Sequence, residues 1–324
     1  MSITYELIPL DTLFFRGSTP MEAGQNTATS IFPPPISVIM GAFRTESVKQ
    51  SQYSLNEYLQ GTCLELNTLI GSPDETPLFE IEHFFVKKQD KYFIPAPATW
   101  YLDSPSKPKS IDDFMGKNLI QATFHDENMK KLHCLSSAGT IAFVHPQFEA
   151  QPLTGVWISL DFLHSTRKQF EKNDFLLTND IFSTENRIGV GLDSNKHTIE
   201  GQLYSASHIR LHSDVSLCIT LSKDILIEER GKIQLGGEKR TCFYEKIQNA
   251  VINEEIDATL FVSSVPVVAT EETLPCLISS NKLYEAAGWD LAKGFHKATK
   301  TWIPAGAVFN KKINVSCIAL REIK

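Results

Sequence analysis

No C-x-x-C pair occurs anywhere in the chain. Its six cysteines, Cys63, Cys134, Cys218, Cys242, Cys276 and Cys317, are scattered, which leaves no zinc ribbon and no thioredoxin-like redox site. Several lie in apolar, strand-like runs, where a buried free thiol is the ordinary state. A cytoplasmic chain, the expected location, keeps them reduced. No stretch approaches the ~18–20 uninterrupted apolar residues that cross a membrane. The start, MSITYELIPLDTLFF, has no basic region of a secretory signal. Walker, G-x-S-x-G and H-E-x-x-H motifs are absent, so none of those nucleotide-binding, hydrolase or zinc-protease chemistries is signalled. Internal repeats and low-complexity tracts are missing too. Nor is there a surplus of basic residues. The formal charge is −7, which argues against a freestanding nucleic-acid binder, because that affinity rests largely on phosphate neutralisation.

What is there is ordinary globular material. Of 324 residues, 42% are hydrophobic and 21% charged, enough for a core and for two domains, or one with large insertions. Residues 3–9 alternate like an edge or half-buried strand. Pro33-Pro34-Pro35 precedes a helix over about 35–48, with Ile36, Ile39, Met40 and Phe43 on one face. Strands are expected over 63–69, 79–88 and 91–95, the last two as a hairpin turning at residues 87–90. Residues 95–108 read as a proline-marked loop, and 155–170 as a short strand followed by a helix. Further strands fall at 188–192, 202–211, 215–221, 242–244, 259–268, 307–310 and 314–320, with a short helix at about 223–230. The order is compatible with a ferredoxin-like unit carrying a long insertion.

Five segments carry the chemistry. They are Leu10-Asp11-Thr12-Leu13-Phe14-Phe15-Arg16-Gly17; Phe32-Pro33-Pro34-Pro35 through Arg44-Thr45; Arg187-Ile188-Gly189-Val190-Gly191-Leu192-Asp193 leading to Ile209-Arg210; Leu235-Gly236-Gly237-Glu238-Lys239-Arg240; and Gly288-Trp289-Asp290-Leu291-Ala292-Lys293-Gly294 continuing to Val308. In this order and spacing they resemble the RAMP-superfamily subunit of CRISPR type III-B (Cmr-type) effector complexes. Only residues 50–180 contain nothing similar. The resemblance implies an α+β fold of tandem ferredoxin-like (RRM-like) units. The first spans 1–250, with an insertion at about 50–180, and the second spans 251–324. It implies a non-enzymatic role, gripping the 5′ tag of the CRISPR guide RNA (crRNA), with the large polymerase-like subunit and backbone RAMP subunits as partners. The chain departs from the family in two places. Gly17 stands where an aspartate often follows the Phe-Phe-Arg, and Lys293, Lys297 and Lys300 stand where arginines are usual, so point charges replace bidentate forks.

The expected RNA contacts are Arg16, Arg44, Arg187, Gly236, Gly237, Lys239, Arg240, Lys293, Lys297 and Lys300. The glycine pair lets backbone amides approach a phosphate beside Lys239 and Arg240; the bland alternative is a plain turn. Arg187-x-Gly-x-Gly is too short for a dinucleotide fingerprint, and its glycines read as a bulge or close packing. Arg44 can equally serve the carboxyl end of its helix. Residues 288–312 hold Lys293, Lys297, Lys300, Lys311 and Lys312 against Asp290 alone, interleaved with aromatics that can stack on bases. Residues 253–285 hold Glu254, Glu255, Asp257, Glu271, Glu272 and Glu285 against Lys282, a solubilising or protein-facing surface. The rival class is a metal-independent RAMP endoribonuclease working through histidine. His208 and His212, four apart on a strand, stand about 13 Å apart and cannot share a metal. Asp112-Asp113 reads as a helix start. No catalytic residue, metal or cofactor is assigned. A protein-only scaffold is the third possibility.

Overall fold

The structure is a computed structural model that describes residues 2–17, 27–124, 142–143, 149–250, 252, 258–290, 293–314 and 316–321. It is mixed α+β, mostly strands in antiparallel sheets with few helices. The chain divides into two compact units. The first gathers Met1–Ile81, Phe182–Asn249 and Glu285–Lys300; the second gathers Glu82–Ile181, Ala250–Tyr284 and Thr301–Lys324. Of the expected insertion, residues 51–81 group with the first unit and 82–181 with the second, and residues 285–300 group with the first.

In the first unit the strand Ile3–Pro9 is central, not an edge. It pairs antiparallel with Val215–Leu221 on one side and with Thr241–Ile247 on the other, and Arg230–Gln234 completes the row beside Thr241–Ile247. Alternation places Tyr5 and Leu7 on one buried face. The helix Ile36–Gln50 begins at Pro35, where a missing amide costs nothing, and buries Ile36, Ile39 and Phe43, with Met40 only partly covered. The Phe43 ring lies 5.5 Å from Tyr5, Tyr5 lies 5.8 Å edge-on to Tyr244, and Gln50 Nε2 donates to the Tyr244 hydroxyl at 2.8 Å. A Cβ at residue 231 would stand 2.8 Å from that hydroxyl, so Gly231 makes room for the ring.

Two expectations are corrected here. Residues 63–69 are not a strand but the short helix Leu64–Ile70. Residues 223–230 are not a helix; they are irregular up to the strand that begins at Arg230, with Leu226 at φ 57°. Helix side chains hold that segment: the Ser47 hydroxyl donates to the Ile225 carbonyl, and the Glu228 amide donates to Gln50 Oε1. The strands expected at 188–192 and 202–211 are longer, forming the hairpin Phe182–Leu192 and Thr198–Leu211.

In the second unit, Ile81–Lys88 and Lys91–Pro95 form the expected hairpin. Its turn is Gln89-Asp90, both at positive φ, as a two-residue type I′ turn requires. Val156–Ser159 and Phe175–Leu177 extend it. Trp100, Phe114, Phe162, Phe170 and Phe175 are buried against one another. Asp174, 1% exposed, is neutralised by the two-pronged Arg167 guanidinium at 2.8 Å and accepts from the Glu171 amide, so its burial is compensated. Asp113 accepts from the amides of Lys109 and Ser110, which makes it a cap for the 3-10 turn Ile111–Phe114. The five described cysteines are free and buried. Among the described residues no helix is long and apolar enough to cross a membrane.

Candidate nucleic-acid interface

The segment Leu10–Gly17 runs along the long hairpin of the first unit. Leu13 exchanges both backbone hydrogen bonds with Ile209 at 2.7 and 2.8 Å, and Arg16 bridges to Ser30. Thr27–Thr29 lies parallel to Ser205, Ala206 and Ser207. Phe14, Ala28 and Ala206 pack as a small buried cluster, and the Phe14 ring stacks on His208 at 4.9 Å.

The glycine loop closes over this segment. Gly236 has φ 86°, and a Cβ there would stand 2.5 Å from the Phe14 carbonyl oxygen and 3.1 Å from the Phe15 ring. The Gly237 amide donates to the Phe14 carbonyl at 2.8 Å. Close packing against Phe14-Phe15 therefore accounts for both glycines, and the Gly237 amide is already engaged. Beyond them Glu238 and Lys239, at φ 55° and 53°, make a type I′ turn closed by the Arg240 amide on the Gly237 carbonyl at 3.3 Å. Each non-glycine residue in that region costs about 1–2 kcal/mol.

The turn delivers Arg240 to a cluster that sequence reasoning did not assemble. Arg240 donates to Asp11 at 2.9 Å and to Glu238 at 2.7 Å. Arg210 donates to Asp11 at 3.0 Å and to Glu185 at 2.8 Å; Arg187 donates to Glu185 at 2.9 Å and to Asp11 at 3.4 Å. Three guanidiniums face three carboxylates. The cross-strand register explains part of the meeting, since Glu185 lies opposite His208, with Arg187 and Arg210 two residues along each strand on the same face. Asp11 is held below the usual carboxylate range, first by the Thr12 amide, then by Arg210 and Arg187. Glu185 is lowered by Arg210 and then Arg187. His208 is fully buried; its Nδ1 meets the Thr12 hydroxyl at 3.2 Å and its Nε2 stands 3.5 Å from Glu238. Burial lowers its pKa and keeps it neutral, against the pull of Glu238.

The other expected contacts lie in different surroundings. Arg16 and Lys239 are exposed, and among the described residues neither makes an ion pair. Arg44 is held by the loop after the helix Leu64–Ile70: it donates to the carbonyls of Ser72 and Glu75 and lies 5.7 Å over the Tyr58 ring. Lys293 is exposed and 3.8 Å from Asp290. Lys297 and Lys300 are exposed; the Lys297 amide donates to the Gly288 carbonyl at 2.8 Å, and its chain passes the same glycine that borders Ser37 at the helix start. The side chains of Trp289 and His296, residues 291–292, and Glu254, Glu255 and Asp257 lie outside the described residues. Arg210, Asp11, Glu185 and Glu238 were missed as a group. Their signal was partial: Asp11, Arg210 and Glu238 stood in the quoted segments and Glu185 lies two residues before Arg187, but Asp11 is 176 residues from Arg187 and farther from the other two arginines. Among the described residues no group of His, Cys, Asp and Glu could hold a metal ion.

The profile of the family described as CRISPR-associated protein (Cas_Cmr3) matches residues 5–261. The chain belongs to this family. The match takes in four of the five segments and the whole arginine cluster, and it agrees with a type III-B Cmr RAMP-type subunit. Among solved structures, a chain of the type III-B Cmr-beta complex bound to cognate target RNA and AMPPnP aligns with TM-score 0.55 and 18% identity, covering 97% of this Cas_Cmr3 chain and 87% of its own. A chain of Cmr-beta bound to cognate target RNA gives TM-score 0.55 at 17% identity with the same coverage. At such identities the likeness is one of fold. No curated protein matches the chain.

Proposed function

We propose that this Cas_Cmr3 chain is a non-catalytic guide-RNA-binding subunit of a type III-B effector complex in the cytoplasm. It grips the 5′ tag of the guide and docks the large polymerase-like subunit and the backbone RAMP subunits. The observation that carries this reading is the convergence of Arg187, Arg210 and Arg240 beside exposed Lys239, all within the first unit. Guanidinium forks match phosphate oxygens, and against Asp11, Glu185 and Glu238 the three arginines with Lys239 leave one positive charge in excess. A ferredoxin-like reading of the first unit is supported by the path from strand Ile3–Pro9 through helix Ile36–Gln50 to the hairpin Arg230–Gln234 and Thr241–Ile247. The fourth strand position is taken by Val215–Leu221, which precedes that hairpin in the chain. A non-catalytic role is supported by His208: the histidine nearest the arginines is fully buried, out of hydrogen-bond reach of a bound RNA.

One observation favours a second reading, a scaffold that touches protein alone: each arginine of the cluster already faces a carboxylate. The test is to purify the assembly on a tagged copy of the chain, crosslink with ultraviolet light and map the nucleotide and peptide. Crosslinks from 235–245 or 288–302 to a common 5′ sequence are expected, with retention falling steeply as salt rises. RNA present but never crosslinked to this chain would favour the scaffold. Absence of both RNA and large partners would remove the reading itself.

A further inference from the structure

Asp11 is bound in an unusual way for an exposed aspartate. Its two carboxylate oxygens receive three guanidiniums from three distant stretches of chain: Arg210 on Oδ1 at 3.0 Å, and Arg240 and Arg187 on Oδ2 at 2.9 and 3.4 Å. The side chain is 46% exposed, as is Arg210 at 47%, so a solvent-borne anion can reach the same place. The other two acids play a different part. Glu185 bridges Arg187 and Arg210 at 2.8 and 2.7 Å, and Glu238 holds Arg240 at 2.7 Å. Were Asp11 to rotate away, these contacts would still aim all three forks at the vacated spot. Arginine forks match phosphate as they match carboxylate. A phosphodiester, like Asp11, presents two anionic oxygens on a single atom.

The strained turn points the same way. Glu238 and Lys239 both adopt left-handed backbone without being glycine, and strain of that kind collects at functional sites. Here it sets Glu238 against Arg240 and so fixes the third fork.

We propose that Arg187, Arg210 and Arg240 form a seat for one RNA phosphodiester, and that Asp11 is its resident anion, displaced when RNA binds. Arg210, absent from the expected contacts, becomes a central ligand. This rests on the RNA-gripping reading and names the site within it. Binding is an exchange: the phosphate takes the forks and the Asp11 carboxylate returns to water. The affinity of the seat is thereby held down until neighbouring contacts, such as Lys239, bring the RNA close.

The test uses the full chain and a fluorescein-labelled single-stranded RNA with the guide 5′ sequence, read by anisotropy across a salt series. Asp11→Asn keeps the shape and removes the charge, and is expected to tighten binding about fivefold. Arg210→Gln is expected to weaken it about fivefold and to flatten the slope of log K against log salt by about 0.7. Thermal melts of both variants check folding; if Asp11→Asn does not fold, Arg210→Gln decides. Equal or weaker RNA binding by folded Asp11→Asn, or unchanged binding by Arg210→Gln, overturns the seat. Lys297→Glu with Lys300→Glu separates the two levels of failure. If that pair weakens binding while the seat variants change nothing, RNA is gripped elsewhere and only the seat falls. If no variant and no salt concentration changes the signal, the RNA reading falls with it.

Discussion

Replacing Gly236 by alanine separates packing from phosphate approach at the glycine loop. The new Cβ would stand 2.5 Å from the Phe14 carbonyl oxygen, where ordinary contact begins at 3.4 Å. The carbonyl must therefore retreat by the 0.9 Å between those values. Retreat stretches the Gly237 amide bond to the same oxygen, now 2.8 Å, past any useful length. The left-handed backbone adds about 1–2 kcal/mol for a residue with a Cβ, and the lost hydrogen bond about 0.5–1.5 kcal/mol. The sum is about 1.5–3.5 kcal/mol, which at ~2–4 °C per kcal/mol for a domain of this size lowers Tm by roughly 3–14 °C. Gly237→Ala makes the contrast. Its φ is unremarkable and its Cβ would meet only the Phe14 ring edge at 3.1 Å, which can give way for about 1 kcal/mol. Thermal melts and guide retention are measured for both. If Gly236→Ala melted like the parent yet lost RNA, packing against Phe14 would not be why a glycine stands there, and approach to phosphate would be.

Other outcomes follow from the same contacts. Reversing Lys239 and Arg240 to glutamate sets like charges beside Asp11 and Glu238; guide co-purifying with the tagged chain should fall about tenfold or more, with circular dichroism unchanged. Arg44→Ala removes the guanidinium from the Ser72 and Glu75 carbonyls, leaving Ser72 only the Glu75 amide, and should cost about 0.5–1.5 kcal/mol in urea unfolding, with RNA retention intact; lost retention at unchanged stability would return Arg44 to the interface. His83 is buried beside Ser264, and burial lowers its pKa from 6.5 to about 4. Since the unfolded chain then binds the proton more readily, the contribution of His83 is present above pH 6.5 and is lost as pH falls towards 4. That loss approaches about 3 kcal/mol at ~1.4 kcal/mol per pH unit. Urea midpoints of the parent and His83→Asn should converge through that window, and parallel curves would refute the burial argument.

The elements with strong local signals were legible: the Ile36–Gln50 helix from its prolines and apolar stripe, the Ile81–Pro95 hairpin from its alternation, and Val215–Leu221 from its β-branched run. Where the reading failed, distant partners overrode local preference. Leu64, Leu66 and the alternating polar residues between them imitate a strand, yet Leu66 and Ile70 turn one helical face inward. Residues 223–230 are good helix formers, but Ser47 and Gln50 capture their backbone in an irregular course. The arginine cluster was half legible. Arg187 and Arg240 were singled out as cations; that they would meet on one carboxylate, with Arg210, depends on contacts between residues 176, 199 and 229 positions apart. Gly236 and Gly237 drew notice as a phosphate cradle, while the space they leave is filled by Phe14 and Phe15.

The central place of the strand Ile3–Pro9 carries a consequence for the order of synthesis. This strand is made long before either of its neighbours: Thr4 meets Thr220, 216 residues later, and then Ile247. At ~5–20 residues per second the strand waits roughly 10–40 s with both edges open. An unpaired strand is a template for other chains, and the polar Thr4 and Glu6 on its second face lessen that hazard. Asp11 waits likewise, emerging 229 residues before Arg240. A chain released before that point holds the aspartate without its full complement of arginines.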